Sequence, residues 1–330
     1  MSKGKFAVLV ALCTVLFHLV SCAQEFPGLA TGYSNQQSAS LGTRLSAVDP
    51  GIITVRPTAM VGWQKMGANI SFPIPVDPDS GIRPLEFQLL DANLWTGGVG
   101  LEVSASDTLA FYLGGQANAR RNVTVVTSIE PVFIGEFGDV DWTGSQVEWW
   151  AIDGGVSLRI FDGLRVVAGL RRDHFSLKLN DPRLQGVPLV SSDLFFGYRG
   201  DLQTKLWIPY LGFDLTGPNY VARLTGSPFT QARVKLPLRI NFVLGDFNDL
   251  EYSLTKPGGF LEGLFIYTVN PRDGFSCSLY AQANWLNVKG RGTEDFVETG
   301  IDPLGPFSSS ATATFARYMT CLGVSLQLIF

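Results

Sequence analysis

From residue 311 to the end of the chain, apolar and polar residues change places at almost every step. Tyr318, Leu322, Val324, Leu326, Leu328 and Phe330 fall on one face of an extended chain. Arg317, Met319, Cys321, Gly323, Ser325 and Gln327 fall on the other. Successive side chains of a strand point to opposite sides, so this pattern predicts a strand with one apolar face. The same period runs through 95–103, 109–120, 150–160, 164–171, 207–215, 233–242 and 276–285. Beyond residue 23 no apolar run approaches the roughly 18 residues of a spanning helix. The chain therefore reads as all-β.

Charged residues make up 16% of the chain, against about 25% in an average soluble domain. Gly (36) and Phe (23) are abundant, while His (2) and Cys (4) are scarce. An apolar chain of this kind is not disordered. The few Cys and His exclude a disulfide scaffold and argue against a zinc enzyme. A net charge of -4 disfavours nucleic-acid binding. No cofactor or metal is implied.

Residues 1–23 have the layout of a secretory signal peptide. Lys3 and Lys5 precede the apolar run Phe6–Val20, which ends at Ser21-Cys22-Ala23. Cleavage between Ala23 and Gln24 is expected. A competing arrangement, Leu19-Val20-Ser21-Cys22, is similar to a lipobox, in which Cys22 carries the lipid. Residues 24–54 lack strong alternation and read as a periplasmic or plugging segment, with the barrel at 55–330.

Connections fall into two sizes. Short turns lie at 104–107, 161–163, 216–219 and 270–273, rich in Gly, Pro, Asn and Asp. Long polar links lie at 73–84, 121–145, 179–200 and 289–308. Short and long alternate, as short periplasmic turns and long outer loops do in a transmembrane barrel. Closure has a simple cause: a strand edge in lipid has no water to satisfy its backbone. The expected fold is an antiparallel up-and-down barrel of about twelve strands. If 229–257 forms one outer loop, the number is ten.

The ending Cys-Leu-Gly-Val-Ser-Leu-Gln-Leu-Ile-Phe, residues 321–330, resembles the last strand of bacterial outer-membrane β-barrel proteins. The resemblance implies a Gram-negative outer-membrane location and recognition of the C-terminal strand by the barrel-insertion machinery. Lipid and lipopolysaccharide are then the immediate partners, with small solutes as possible cargo. Trp95, Trp150, Trp207, Trp285, Tyr318 and Phe330 are expected at the membrane interfaces, where aromatic rings anchor. Trp63, Trp149 and Tyr210 are placed with them.

If apolar faces look outward, the lumen is lined by Arg159, Arg165, Arg171, Arg233, Lys235, Arg239, Gln282, Asn284, Arg317 and Gln327. The acids on that face are Glu86, Glu102, Asp153, Asp214 and Glu262. Such a mildly basic lumen suits a narrow anion-favouring, porin-like channel. Charges paired across so small a bore instead produce a closed, passive barrel, which is slightly favoured over an open pore. An enzyme is the second class. His174 and Ser176 are two apart and share a strand face, a base and nucleophile arrangement. It looks like the His-x-Ser of outer-membrane phospholipases and lipid A deacylases. The Asp-x-His spacing of omptin-type proteases is absent. The residues favour a non-enzymatic barrel. Cys277 is expected to face outward and Cys321 inward, leaving two free thiols.

Overall fold

The computed structural model describes residues 53–72, 85–119, 121–128, 140–184, 186–188, 196–198, 201–236, 238–242, 245–254, 258–272, 275–297 and 311–328. The leader, the Ala23–Gln24 junction, residues 24–52 and Phe330 lie outside them.

Ten long strands form the ring among the described residues. They are β1 (Thr54–Phe72), β2 (Leu85–Ser104), β3 (Leu109–Asn118, continued by Arg121–Ser128), β4 (Val140–Phe161) and β5 (Leu164–Lys178). Then follow β6 (Asp201–Thr216), β7 (Tyr220–Ser227, continued by Gln231–Leu236 and Leu238–Phe242) and β8 (Gly245–Leu254, continued by Gly259–Arg272). Finally come β9 (Phe275–Val297) and β10 (Ala311–Leu328). Each pairs antiparallel with its predecessor, and β1 closes on β10 from Thr58↔Gln327 to Ser71↔Thr314.

The ring holds ten strands and not twelve for a local reason. Residues 220–228 and 232–244 alternate separately but occupy one position in the ring. Tyr220–Ser227 pairs with the lower half of β6, and Gln231–Leu236 pairs with its upper half. Pro228 sits in the gap, and a residue without an N–H interrupts the ladder. β8 likewise comes in two lengths, Gly245–Leu254 and Gly259–Arg272. Pro228 marks a break within a strand, where it reads in sequence as a turn. Residues 121–128, 140–145 and 289–297 are strand as well, so several staves run past the ends that alternation suggests.

These strands are longer than a membrane requires. β9 has 23 residues, against roughly 9–11 for a tilted crossing. The surplus explains an inversion of polarity along the barrel. Near the short turns, outward positions are apolar: Ile152, Val156, Leu158 and Ile160 on β4, Val166 and Leu170 on β5, Leu211, Phe213 and Leu215 on β6. Leu322, Val324, Leu326 and Leu328 continue the belt on β10. From Trp150 to Ile160 the belt covers roughly 33 Å of strand, or about 25 Å of height at a barrel's usual tilt.

An aromatic girdle ends the belt on the loop side. Trp63 lies opposite Trp95, Trp285 opposite Tyr318, Trp150 opposite His174 and Trp207 opposite Arg172. Beyond the girdle the faces exchange character. On β5 the outward set becomes Arg172, His174 and Lys178, with Ser176 on the same parity but buried, and the inward set becomes Phe175 and Leu177. On β9, inward Ser276, Ser278, Gln282 and Asn284 give way to Leu286 and Val288. Within lipid the chain is apolar outside and polar inside. Above lipid it follows the ordinary rule of a water-soluble barrel. The girdle marks the change of solvent.

A belt facing hydrocarbon makes a specific demand. Leu211→Arg should destabilise the folded barrel by about 2–4 kcal/mol, the depth-dependent cost of a cation facing lipid. Arg at Gln203, on the same face above the girdle, should change stability by less than about 0.5 kcal/mol. Urea unfolding of both variants in lipid vesicles checks the contrast.

Candidate functional site: a filled interior and an outer-wall patch

The interior is built around Asp173 on β5. Arg171, Asp173 and Phe175 share one parity, so all point inward. Asp173 is fully buried and accepts hydrogen bonds from both terminal nitrogens of Arg317, at 2.6 and 2.7 Å. It also accepts from Arg171 at 3.3 Å and from the Trp149 indole at 3.2 Å. β5 and β10 stand opposite each other in the ring, so the Asp173–Arg317 pair spans the bore. One rung higher, Phe175 and Phe315 meet across the same diameter with ring centroids 5.7 Å apart.

Below this hub the polar contacts continue. Arg171 donates to Glu262 at 2.7 Å, and Gln282 donates to the same carboxylate at 2.8 Å. Tyr210 donates to Asp153 and bonds with Tyr112. Arg223 grips Asp214 through two nitrogens, at 2.7 and 2.9 Å, and lies 4.8 Å from the Tyr112 ring centre. At the turn end, Arg56 donates to Glu102 at 2.8 Å. Small residues make room for the large ones: a Cβ on Gly155 or Gly169 would fall 2.5 or 2.4 Å from a tyrosine hydroxyl oxygen, on Tyr112 or Tyr210 respectively. Above the hub the bore holds a packed apolar cluster including Phe87, Leu89, Trp149, Phe175, Leu202 and Phe315, each at most 2% exposed.

The sequence-derived lumen set divides. Arg165, Arg171, Gln282, Asn284, Arg317 and Gln327 point inward and are buried. Arg159 is on the inner side at the rim and pairs with Asp162 in the adjoining turn. Arg233 and Lys235 do not line the lumen. They are exposed on the outer wall, while Ala232 and Val234 are buried inside. Their segment pairs with β6 from Gln203 to Trp207, at and above the girdle, where the inverted polarity sends apolar residues inward. Glu86 is likewise outward, since its neighbour Phe87 is buried within. The Arg239 side chain lies outside the described residues.

Alternation alone did not single out Arg56, Arg223 or Asp173. The signal for Asp173 was its parity with Arg171. Among the described residues the inner face carries six arginines (56, 159, 165, 171, 223, 317) and five carboxylates (102, 153, 173, 214, 262).

The aromatic set divides too. Trp95, Trp150, Trp207, Trp285 and Tyr318 all lie on the outer wall at the girdle. Trp149 is 1% exposed and belongs to the interior, one residue out of phase with Trp150. Tyr210 is likewise an interior residue, bonded to Asp153 and Tyr112, and not an interface anchor. Cys321 is buried inside and Cys277 is on the outer side, both as free thiols.

The outer wall above the girdle carries the second group of functional interest. Arg172 lies over two rings, 5.7 Å from Trp150 and 5.3 Å from Trp207. His174 packs on Trp150 with centroids 5.3 Å apart. Ser176 is two residues on, with the same parity, but is buried. Across the neighbouring ladders, Glu148 and Gln203 stand opposite Ser176, and Lys205 stands opposite His174. His174 and Ser176 are thus mid-wall residues beside the girdle, and not interior ones. Among the described residues there is no cluster of three or more His, Cys, Asp or Glu able to hold a metal.

No family model and no curated protein matches the chain. Solved structures do. The outer membrane protease OmpT from Escherichia coli superposes with a TM-score of 0.63 at 9% identity, covering 84% of this chain and 97% of that one. The translocator domain of the autotransporter NalP from Neisseria meningitidis reaches 0.34 at 10% identity, covering 94% and 96%. A Pseudomonas aeruginosa FadL homologue reaches 0.30 at 11% identity, covering 87% and 92%. At 9% identity the likeness to OmpT is one of fold. By its ring the chain is a closed antiparallel β-barrel, similar in fold to the outer membrane protease OmpT, with the apolar belt and aromatic girdle of a barrel that meets lipid.

Proposed function

We propose that this protein is a closed barrel that conducts no solute and works at its outer wall. The observation supporting this reading is that side chains meet across the bore at two successive levels. Asp173 reaches Arg317 and Phe175 reaches Phe315. A filled interior has no continuous water path, and the apolar level adds a dehydrated barrier to ions. Reconstituted in planar bilayers, the protein should give no steady single-channel current in either potassium chloride or an organic-anion salt. Regular conductance steps with anion preference would restore the channel reading.

The working surface, in this proposal, is the patch at Arg172, Lys205, Trp150 and Trp207. Exposed cations next to interfacial aromatics suit the phosphates of outer-leaflet lipids, lipopolysaccharide included. The C-terminal strand serves insertion by the barrel-assembly machinery.

A second reading is a lipid hydrolase at the same patch. His174 and Ser176 share one strand parity, and Glu148 supplies an acid in register with Ser176. Ser176 is buried, so this reading requires the wall to open there for an acyl ester to reach it. His174 acts as base for Ser176, whose hydroxyl attacks the ester carbonyl. Activity on a phospholipid ester by the purified wild type, lost at least a hundredfold in both His174→Ala and Ser176→Ala, is the result this reading expects. An inactive wild type ends it.

A further inference from the structure

The turn end of the interior contains a group of donors with nothing to bind. Arg56 and Arg165 are 1% and 4% exposed. Arg56 uses one nitrogen on Glu102, while its Nε and Nη2 have no hydrogen-bond partner. Arg165 Nη2 is buried without a partner as well. Three hydroxyls in the same region, those of Thr58, Ser104 and Ser157, share that condition.

Register brings these groups together. Ser104 stands opposite Ala110, and Ala110 opposite Ser157, so the two serines flank a small residue in one row across β2, β3 and β4. Arg56 stands opposite Glu102, one rung from that row. Arg165 stands opposite Asp214 on β6 and Arg159 on β4, and it feels the charges of Glu102, Asp214, Arg56 and Arg159.

The local charge is unbalanced. Glu102 is engaged by Arg56, Asp214 by Arg223 and Asp162 by Arg159. Arg165 has no ion pair among the described residues. A buried guanidinium nitrogen without a partner is costly, and native interiors almost always satisfy such groups. The missing partner is therefore an acceptor with negative charge. A carboxylate offers two oxygens to three guanidinium donor atoms and three hydroxyls. A tetrahedral oxyanion offers four, and a guanidinium fork fits two of them at once.

We propose that Arg56, Arg165, Thr58, Ser104 and Ser157 form a binding site for a phosphate-class tetrahedral oxyanion inside the turn end of the barrel. The site is sealed laterally by the ring, so the anion is captured as the barrel closes or enters past the rim at Arg159. It is independent of the outer-wall patch.

The test is to refold the full chain in detergent with inorganic phosphate, sulfate or chloride at matched ionic strength, and to record thermal unfolding by tryptophan fluorescence. A saturable rise in Tm with phosphate and sulfate, absent with chloride, is expected. Arg165→Gln should weaken the phosphate response at least tenfold, and Ser157→Ala several-fold, while Leu211→Ala leaves it unchanged. The serine variant keeps the test decisive if Arg165→Gln does not refold. Equal Tm in the three salts, or the same phosphate dependence in wild type and Ser157→Ala, overturns the proposal and leaves water as the occupant.

Discussion

Asp173→Asn should destabilise the barrel by about 3–5 kcal/mol, the usual cost of removing one partner from a buried ion pair. The carboxylate is fully buried and is the acceptor for Arg317, Arg171 and Trp149. Neutralising it leaves the Arg317 guanidinium, itself with no exposed side-chain surface, as an uncompensated charge in the middle of the bore. Replacing both partners together, as in Asp173→Leu with Arg317→Met, should cost far less, because no charge then remains to be desolvated. Urea unfolding in micelles, read by tryptophan fluorescence, provides both numbers. A loss below about 1 kcal/mol for Asp173→Asn would mean that water reaches Arg317 and that the lumen is wet.

The second large effect separates the two solvents that the barrel meets. Phe175→Ala removes a fully buried ring from the interior cluster, where Phe315 and its neighbours cannot collapse into the space. The expected cost is about 3–5 kcal/mol. Leu211→Ala removes a side chain that is 63% exposed on the belt. Lipid chains are fluid and fill that space, so its cost should stay near or below about 1 kcal/mol. Two similar truncations, a few rungs apart on neighbouring strands, thus differ several-fold. Equal costs in the same unfolding assay would remove the distinction between packed interior and lipid-facing wall.

Much of the fold was legible from residue order. Period two together with long and short connections led to a closed antiparallel barrel. The ring has ten strands, but not because 229–257 forms one loop, since Gln231–Leu236, Leu238–Phe242 and Gly245–Leu254 are strands. The higher number came from counting 220–228 and 232–244, and likewise 249–256 and 259–269, as separate strands, whereas each pair of segments shares one position in the ring. The rule that apolar faces look at lipid held for β4, β5, β6 and β10 within the belt. It misplaced Arg233 and Lys235 because strand length was not weighed against membrane thickness. A 23-residue strand must leave the bilayer, and outside it the apolar face turns inward. Hydropathy alone carries no mark of that boundary; the girdle tryptophans carry it.

The central hub was within reach of the sequence only in part. Arg171 and Asp173 share a parity, yet nothing local shows that Arg317 waits on the opposite strand, 144 residues away. That contact depends on ring closure and on a ring of ten, which sets β5 against β10. The outer-wall pair is the reverse case. His174 and Ser176 follow from spacing alone, while their position beside Trp150 and Arg172 needed the register.

The filled bore is the claim on which the rest depends, and Cys321 reports on it directly. Its thiol is buried inside, within 3.5 Å of Thr96 and Tyr280. The folded protein in micelles is treated with a small, water-soluble cationic thiosulfonate, and Cys321 modification is read by peptide mass and compared with the urea-unfolded chain. Protection in the folded state with full modification after unfolding is the predicted result. Rapid, complete modification of Cys321 in the folded barrel would contradict a filled bore.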